Sequence, residues 1–447
     1  MSKPAAFQND LTTGSIYRHL FNLAIPASIG MFFNTLYNLT DNWFAGQISD
    51  NALVGLSFSS IVFFLFIGLI AGLQNGTAVM VASEVSHKNT SSIKKIIDNA
   101  IGVGLIFSCL IIVLGFMFAR DALNWLSNET ETVVLAWDYI VILLVGNVAF
   151  SMNGIAAGVL MALGDTKTNR NTLIIGFFAN ILLNALFTFG FGFGVAGLAL
   201  ATVIIKSVSA FYLFHTLKKH IDYRPNVAIK KTLCLKILRQ VLPASFNFII
   251  IILGSFITTS FVSTFGDYAV AGYSVGLRLE QVLLLPALGL NSAVLAIAGQ
   301  NYGAKKYHRI SEVYRKSLLI GFCISFVSMP IMIFLSPHLL GFFTEQSNII
   351  DVGAGYLKID SMAFFGYVII FVSIATLQAI KHPDFPVIMG FFRQLMLPLL
   401  VNYILIILLG YSINWIFISV VIIVLLSTLA TVFYTRLQLR KIRNSEV

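Results

Sequence analysis

Asn34, Tyr37, Asn38 and Asp41 fall at i, i+3, i+4 and i+7 in "NTLYNLTDNW", a spacing that sets two amides, a phenol and a carboxylate along one face of a helix. A second polar pair, Asn180 and Asn184, repeats the i, i+4 step in "ANILLNALFTFG", and Thr202 offers a hydroxyl from "LALATVI". Within apolar stretches such groups can hold a proton or a cation, because the carboxylate titrates and the amides and hydroxyl supply hydrogen bonds. The plain alternative is helix-to-helix bonding, worth about 0.6 kcal/mol on average. Asp41 has its own plain alternative, a place near the outer interface, since at ~1.5 Å per residue it lies ~34 Å along a helix from Arg18. Lys206 follows Thr202 by four residues. Pointing inward, its ammonium repels a bound cation and attracts Asp41; pointing outward, it snorkels to the interface. Arg278, Glu280 and Asp360 are further charges in apolar surroundings, either paired with one another or handling protons in the second half of the chain.

The elements that must position these residues are membrane-spanning helices. With 57% hydrophobic and 11% charged residues and a mean hydropathy of +0.87, 447 residues do not make a soluble protein. Apolar stretches of about 20 residues or more run over 18–48, 52–82, 97–119, 133–163, 171–190, 194–217, 238–265, 269–299, 317–336, 353–380, 386–410 and 413–435, predicting twelve spans. The opening segment carries no small-residue cleavage site after a short apolar core, so the first helix is expected to remain. Basic residues gather in alternate loops: Lys88, Lys94 and Lys95, then Lys167 and Arg170, then 218–239, then 305–316, then Arg436 to Arg443. By the positive-inside rule both termini are cytoplasmic in a multi-pass protein of the cell inner (plasma) membrane. The same rule accounts for the net charge of +10 without nucleic acid. The chain has no H-E-x-x-H, G-x-S-x-G or P-loop motif, which argues against an enzyme. Its three cysteines show no C-x-x-C spacing.

The chain repeats itself. "IPASI" at 25–29 returns as "LPASF" at 242–246, Pro26 meeting Pro243 at an offset of 217, and Gly72 meets Gly289 at the same offset. Six spans separate the copies, an even number, so the two halves enter the membrane in the same orientation as a parallel repeat. The expected division is an N-terminal lobe over 1–217, a cytoplasmic linker over 218–237 and a C-terminal lobe over 238–447. Asp41 plus 217 lands on Thr258, so the halves are unequal in chemistry. Two such lobes suit a transporter that alternates between inward-open and outward-open states. Pro26 lacks a backbone N–H and marks a place where the first helix can bend.

Together the helix-1 pattern, "LMALGDTKTNRNTL" at 160–173, "GVAGLALATVI" at 194–204, "LRLEQVLLLPALGL" at 277–290 and "AGQNYGAKKYHR" at 298–309 resemble the multidrug and toxic compound extrusion (MATE) family over essentially the whole chain. The helix-8 pattern and the single acid of helix 1 look like its DNA-damage-inducible F branch. The resemblance implies an all-α, twelve-helix, two-lobe antiporter, acting as a monomer without a cofactor, that expels small organic cations or drugs in exchange for protons or sodium and confers antibiotic resistance. It also implies an internal ion or proton site at Asp41, Asn180, Asn184 and Thr202, with Na⁺ a possible occupant. Many relatives carry an aspartate where this chain has Asn184, and a hard cation prefers carboxylate oxygens, so protons are favoured over sodium. Phe32, Phe33, Tyr37, Phe150 and Met152 are either part of an adaptable drug site or simply lipid-facing and core residues. The alternative within transport is a lipid-linked oligosaccharide flippase of the same two-lobe plan, which would require a strongly cationic central cavity.

Overall fold

The computed structural model describes residues 10–127 and 129–444, apart from the side chain of Leu65. Residues 1–9, the front of the opening segment, residue 128, and residues 445–447, the end of the C-terminal lobe expected above, lie outside the described residues.

Helices account for the described fold, with no strand among the described residues. They are α1 Ile16–Ile48, α2 Asp50–Val85, α3 Thr90–Leu126, α4 Thr130–Val145, α5 Asn147–Ala162, α6 Lys167–Asn184, α7 Gly194–Ile221, α8 Lys231–Val262, α9 Asp267–Gly303, α10 Tyr307–Pro330, α11 Ser336–Gly341, α12 Ser347–Ala379, α13 Asp384–Phe391, α14 Leu397–Asn402 and α15 Asn414–Asn444. The pair α4 and α5 meets at 51° and makes one broken span. A π-helical turn joins α10 to α11 and another joins α13 to α14, so each pair also makes one span. The count by length and apolar character is eleven spans, or twelve with the bent pair, as the twelve apolar stretches predict.

Local chemistry sets the helix starts. Ser49 Oγ accepts from Ala52 N at 3.0 Å at the head of α2, and Asn89 Oδ1 accepts from Ser92 N at 3.0 Å at the head of α3. The ends carry the repeat. Lys88 and Lys305, 217 residues apart, both adopt left-handed backbone after α2 and α9, with φ of 53° and 58°. Gly164 and Lys381, again 217 apart, do the same after α5 and α12, with φ of 81° and 63°. A non-glycine residue is strained there, so Lys381 shows that the second half keeps the turn geometry of the first without the glycine of position 164.

The chain divides into two compact units. Unit 1 holds Ile29–Phe246 with the described residues before Thr12, and unit 2 holds Thr12–Ser28 with Asn247–Val447. This differs from a division at 218–237 in one respect: the first part of α1 belongs with unit 2, and the first part of α8 with unit 1. Both helices change unit two or three residues beyond the repeat-related prolines Pro26 and Pro243, where a backbone hydrogen bond is missing. Unit 1 has a core around Phe44, Leu56, Phe63, Tyr139, Leu143, Phe150 and Leu198. Unit 2 has one around Tyr273, Leu284, Tyr356, Leu357, Phe364 and Phe417. Large apolar side chains such as Phe211 and Leu182 face outward, as a lipid solvent requires.

Candidate functional site

Asp41 is buried in unit 1, 5% exposed, on the face of α1 turned to α6. Its Oδ1 accepts two hydrogen bonds from α6, from Asn180 Nδ2 at 2.9 Å and Asn184 Nδ2 at 2.8 Å. The i, i+4 spacing explains why both amides reach one oxygen, since they stand one above the other on the same helix face. Beyond Asn184 the helix widens into a π-helical turn, Ala185–Gly190, the kind of local departure that often accompanies a functional site. One turn before Asp41, Tyr37 donates its hydroxyl to Thr202 Oγ1 on α7 at 2.8 Å, tying a third helix to the group.

Lys206 resolves the choice between inward and outward in favour of inward. Its Nζ lies 6.0 Å from the centroid of the Tyr37 ring and 6.0 Å from that of Phe150, within the range of a cation–π contact. A small cavity of about 10 Å³ adjoins it, lined by Asn34, Tyr37, Asn153, Gly176 and Lys206 among others. That is about the space of a single water. The Asn180 and Asn184 carbonyl oxygens are fully buried and have no hydrogen-bond partner among the described residues.

Asn38 does not join the group. It is exposed and makes no hydrogen bond among the described residues, because at 100° per residue it lies about 60° around α1 from Asp41, at the rim of the polar stripe. Pro26 lies four turns away in the part of α1 that belongs to unit 2. Tyr139 on α4 is the residue that sequence reasoning missed. It is buried and electrostatically coupled to Asp41, yet stands in an apolar helix with no motif to single it out. Of the aromatic candidates, Phe150 is core, whereas Phe32 is exposed and Phe33 packs on Phe177 with centroids 5.6 Å apart.

The charges of unit 2 are arranged otherwise than pairing with Arg278 would require. Arg278 is exposed, while Glu280 and Asp360 are buried and held by phenols. Tyr356 donates to Glu280 Oε2, and Tyr367 donates to Asp360 Oδ1 at 3.1 Å. Neither acid has an ion-pair partner among the described residues. The repeat-equivalent Thr258 donates to Gly254 O of its own helix at 3.2 Å and also meets the Tyr273 phenol.

A buried carboxylate between two helices, in a chain built twice from the same spans, is matched by the sequence profile named MatE, which covers residues 26–186 and 243–404. The chain belongs to the MatE family. Its two matched segments begin at the repeat-related prolines. Among curated relatives, a probable multidrug resistance protein NorM of Thermotoga maritima is 26% identical over 359 residues, 78% of this chain and 77% of that protein. The multidrug export protein MepA of Staphylococcus aureus is 22% identical over 350 residues, 77% of each chain. A solved structure described as the outward-facing conformation of a multidrug resistance MATE family transporter superposes with a TM-score of 0.90 at 22% identity over 99% of both chains. A transporter of the MOP superfamily from Pyrococcus furiosus reaches 0.91 at 22% identity, again over 99% of both. This MatE chain is therefore a multi-pass membrane protein of a multidrug efflux transporter family. The matches specify no DNA-damage-inducible F branch.

Proposed function

We propose that this MatE protein is a proton-coupled antiporter of the plasma membrane that exports organic cations by alternating access, with Asp41 carrying the coupling proton. The observation that carries the reading is the donor set around Asp41. Two amides turn their N–H groups, not their oxygens, to the carboxylate, and the nearby charge is the ammonium of Lys206. Such a pocket holds an ionised carboxylate by donation and repels a second cation, whereas a sodium ion asks for several converging oxygens. On protonation Asp41 loses its attraction to Lys206 and weakens both amide bonds, so the two protonation states favour different positions of α1 against α6 and α7. Pro26 is where α1 yields. Each half-cycle then fills or empties the acid, and an organic cation leaves as a proton enters. Both termini face the cytoplasm, and the protein acts as a monomer. The names of the two curated relatives above, of drug resistance and drug export, support this reading over a lipid-linked oligosaccharide flippase.

The test is efflux from everted vesicles with each gradient imposed alone. A pH gradient is expected to drive accumulation of a cationic dye and a sodium gradient with the pH gradient collapsed is not. Accumulation driven by sodium alone would overturn proton coupling. Cysteine cross-links between the two units, placed on either membrane face, are each expected to stop transport; efflux that survives them would overturn alternating access.

A further inference from the structure

A cleft lies wholly within unit 2. α10 and α15 pack side by side at the arginine-bearing end of the unit and leave a cleft of about 200 Å³ lined by Ser311, Tyr314, Arg315, Arg436, Arg440 and Arg443, together with two leucines. The sequence builds it simply. Ser311 and Arg315 are i, i+4 on α10, and Arg436, Arg440 and Arg443 are i, i+4, i+7 on α15, so two helix faces turn four guanidinium groups into one space. No acid lines it. Glu312, on the same turn of α10, is engaged by Lys316 at 2.6 Å. None of the four arginines has an ion pair or a hydrogen bond among the described residues. Four like charges gathered with no counterion among the described residues raise a strong positive potential, and each guanidinium presents a planar fork that matches two phosphate oxygens.

What lies beneath the cleft identifies the rest of the ligand. Along α10 the stripe continues from Arg315 through Leu318 to Phe322 and Phe326, which stack at 6.4 Å and are 55% and 71% exposed. Along α15 it continues from Arg436 to Phe433 and Leu429, 72% and 69% exposed. Both stripes run into segments apolar enough to span the membrane. A cationic cleft at the head of two outward-facing apolar stripes is complementary to a molecule with an anionic head and acyl chains.

We propose that the cleft between α10 and α15 binds the headgroup of an anionic phospholipid of the cytoplasmic leaflet, its phosphate on Arg315, Arg436, Arg440 and Arg443 and its chains along Phe322, Phe326, Phe433 and Leu429. A zwitterionic lipid brings its own ammonium into the cleft and is disfavoured. A free phosphate uses the arginines and leaves the stripes unused. The proposal stands apart from Asp41, since none of its residues belongs to that network.

The experiment uses the full chain in nanodiscs and reads motional restriction of spin-labelled phosphatidylglycerol against spin-labelled phosphatidylcholine. The protein is expected to restrict the anionic label preferentially. Each arginine near a membrane surface contributes about fivefold in affinity, so R436Q/R440Q and R315Q/R443Q are each expected to lower the preference about 25-fold. K94Q/K95Q, which alters basic residues elsewhere, is expected to leave it unchanged. Equal restriction of the two labels, or an undiminished preference in both arginine variants, overturns the site. An equal loss in K94Q/K95Q overturns it in favour of general surface charge. Displacement of the anionic label by millimolar inorganic phosphate overturns the lipid in favour of a soluble phosphate.

Discussion

Gly289 on α9 approaches Ser28 on α1 so closely that a Cβ placed on it would stand 2.8 Å from Ser28 N and 2.5 Å from Ala24 O. The counterpart 217 residues earlier, Gly72 on α2, meets Ser245 on α8 in the same way, with a Cβ falling 2.7 Å from both Ser245 N and Val241 O. Each contact lies inside one unit, Gly289 with Ser28 in unit 2 and Gly72 with Ser245 in unit 1. The early halves of α1 and α8 are thereby fixed to their units by backbone-close packing of the kind small residues allow in membranes.

Gly289→Ala should therefore force α9 and α1 apart. The obstacles are backbone atoms, which do not rotate away, so overpacking should cost about 1–3 kcal/mol. Thermal unfolding in detergent should fall by several degrees, and Gly72→Ala should do the same. Wild-type melting in both variants would contradict the close approach.

Asp41→Asn keeps the shape and still accepts from Asn180 and Asn184, but cannot titrate. The variant should reach the membrane at normal levels and lose concentrative efflux altogether. Asp41→Glu should retain part of it, and Thr258→Val, which removes a hydroxyl bonded to Gly254 O of its own helix and to the Tyr273 phenol rather than to a carboxylate, should do little. Drug accumulation in energised cells measures all three, and wild-type efflux by Asp41→Asn would return the acid to a structural role.

Asn184→Asp exchanges a donor to Asp41 for a second carboxylate. Two acids and the Asn180 carbonyl then offer a hard cation the oxygens it lacks. Efflux should fall under a pH gradient alone and rise when sodium is added. Vesicle transport with and without sodium reads the exchange; a variant indifferent to sodium would show that the amide is not what excludes it.

At the turn between α5 and α6, Asp165 accepts from Thr168 N at 3.0 Å and from the Thr168 hydroxyl at 2.5 Å, and meets His220 Nε2 at 3.3 Å. Burial pushes its carboxyl up, but the bonds from His220 and Thr168 and the attraction of His220 outweigh this and hold it below the usual carboxylate range. A carboxyl lowered on folding binds fewer protons folded than unfolded. Its stabilisation is present above the unfolded value of about 3.9 and is lost as pH falls through the folded value. Asp165→Asn should thus lower the melting temperature at neutral pH, with the difference closing as pH falls through the lowered folded value. A constant difference across that range would mean that the charge does not matter.

Composition and periodicity alone determined the membrane, the twelve spans and the 217-residue repeat, because each is written in stretches of about 20 residues whose apolar character must match the bilayer. The i, i+4 amides and the acid of α1 were legible for a similar reason: helical spacing puts residues on one face wherever the helix goes. Which face meets which is decided by packing between residues far apart in the chain. Asn184 reaches Asp41 across 143 positions and Tyr37 reaches Thr202 across 165. Tertiary structure alone turned Lys206 inward, left Asn38 at the rim, brought Tyr139 near Asp41 and gave Glu280 and Asp360 to tyrosines, leaving Arg278 exposed. It also moved the unit boundary into α1 and α8, since a helix reads the same to its own sequence whichever neighbours its two halves pack against.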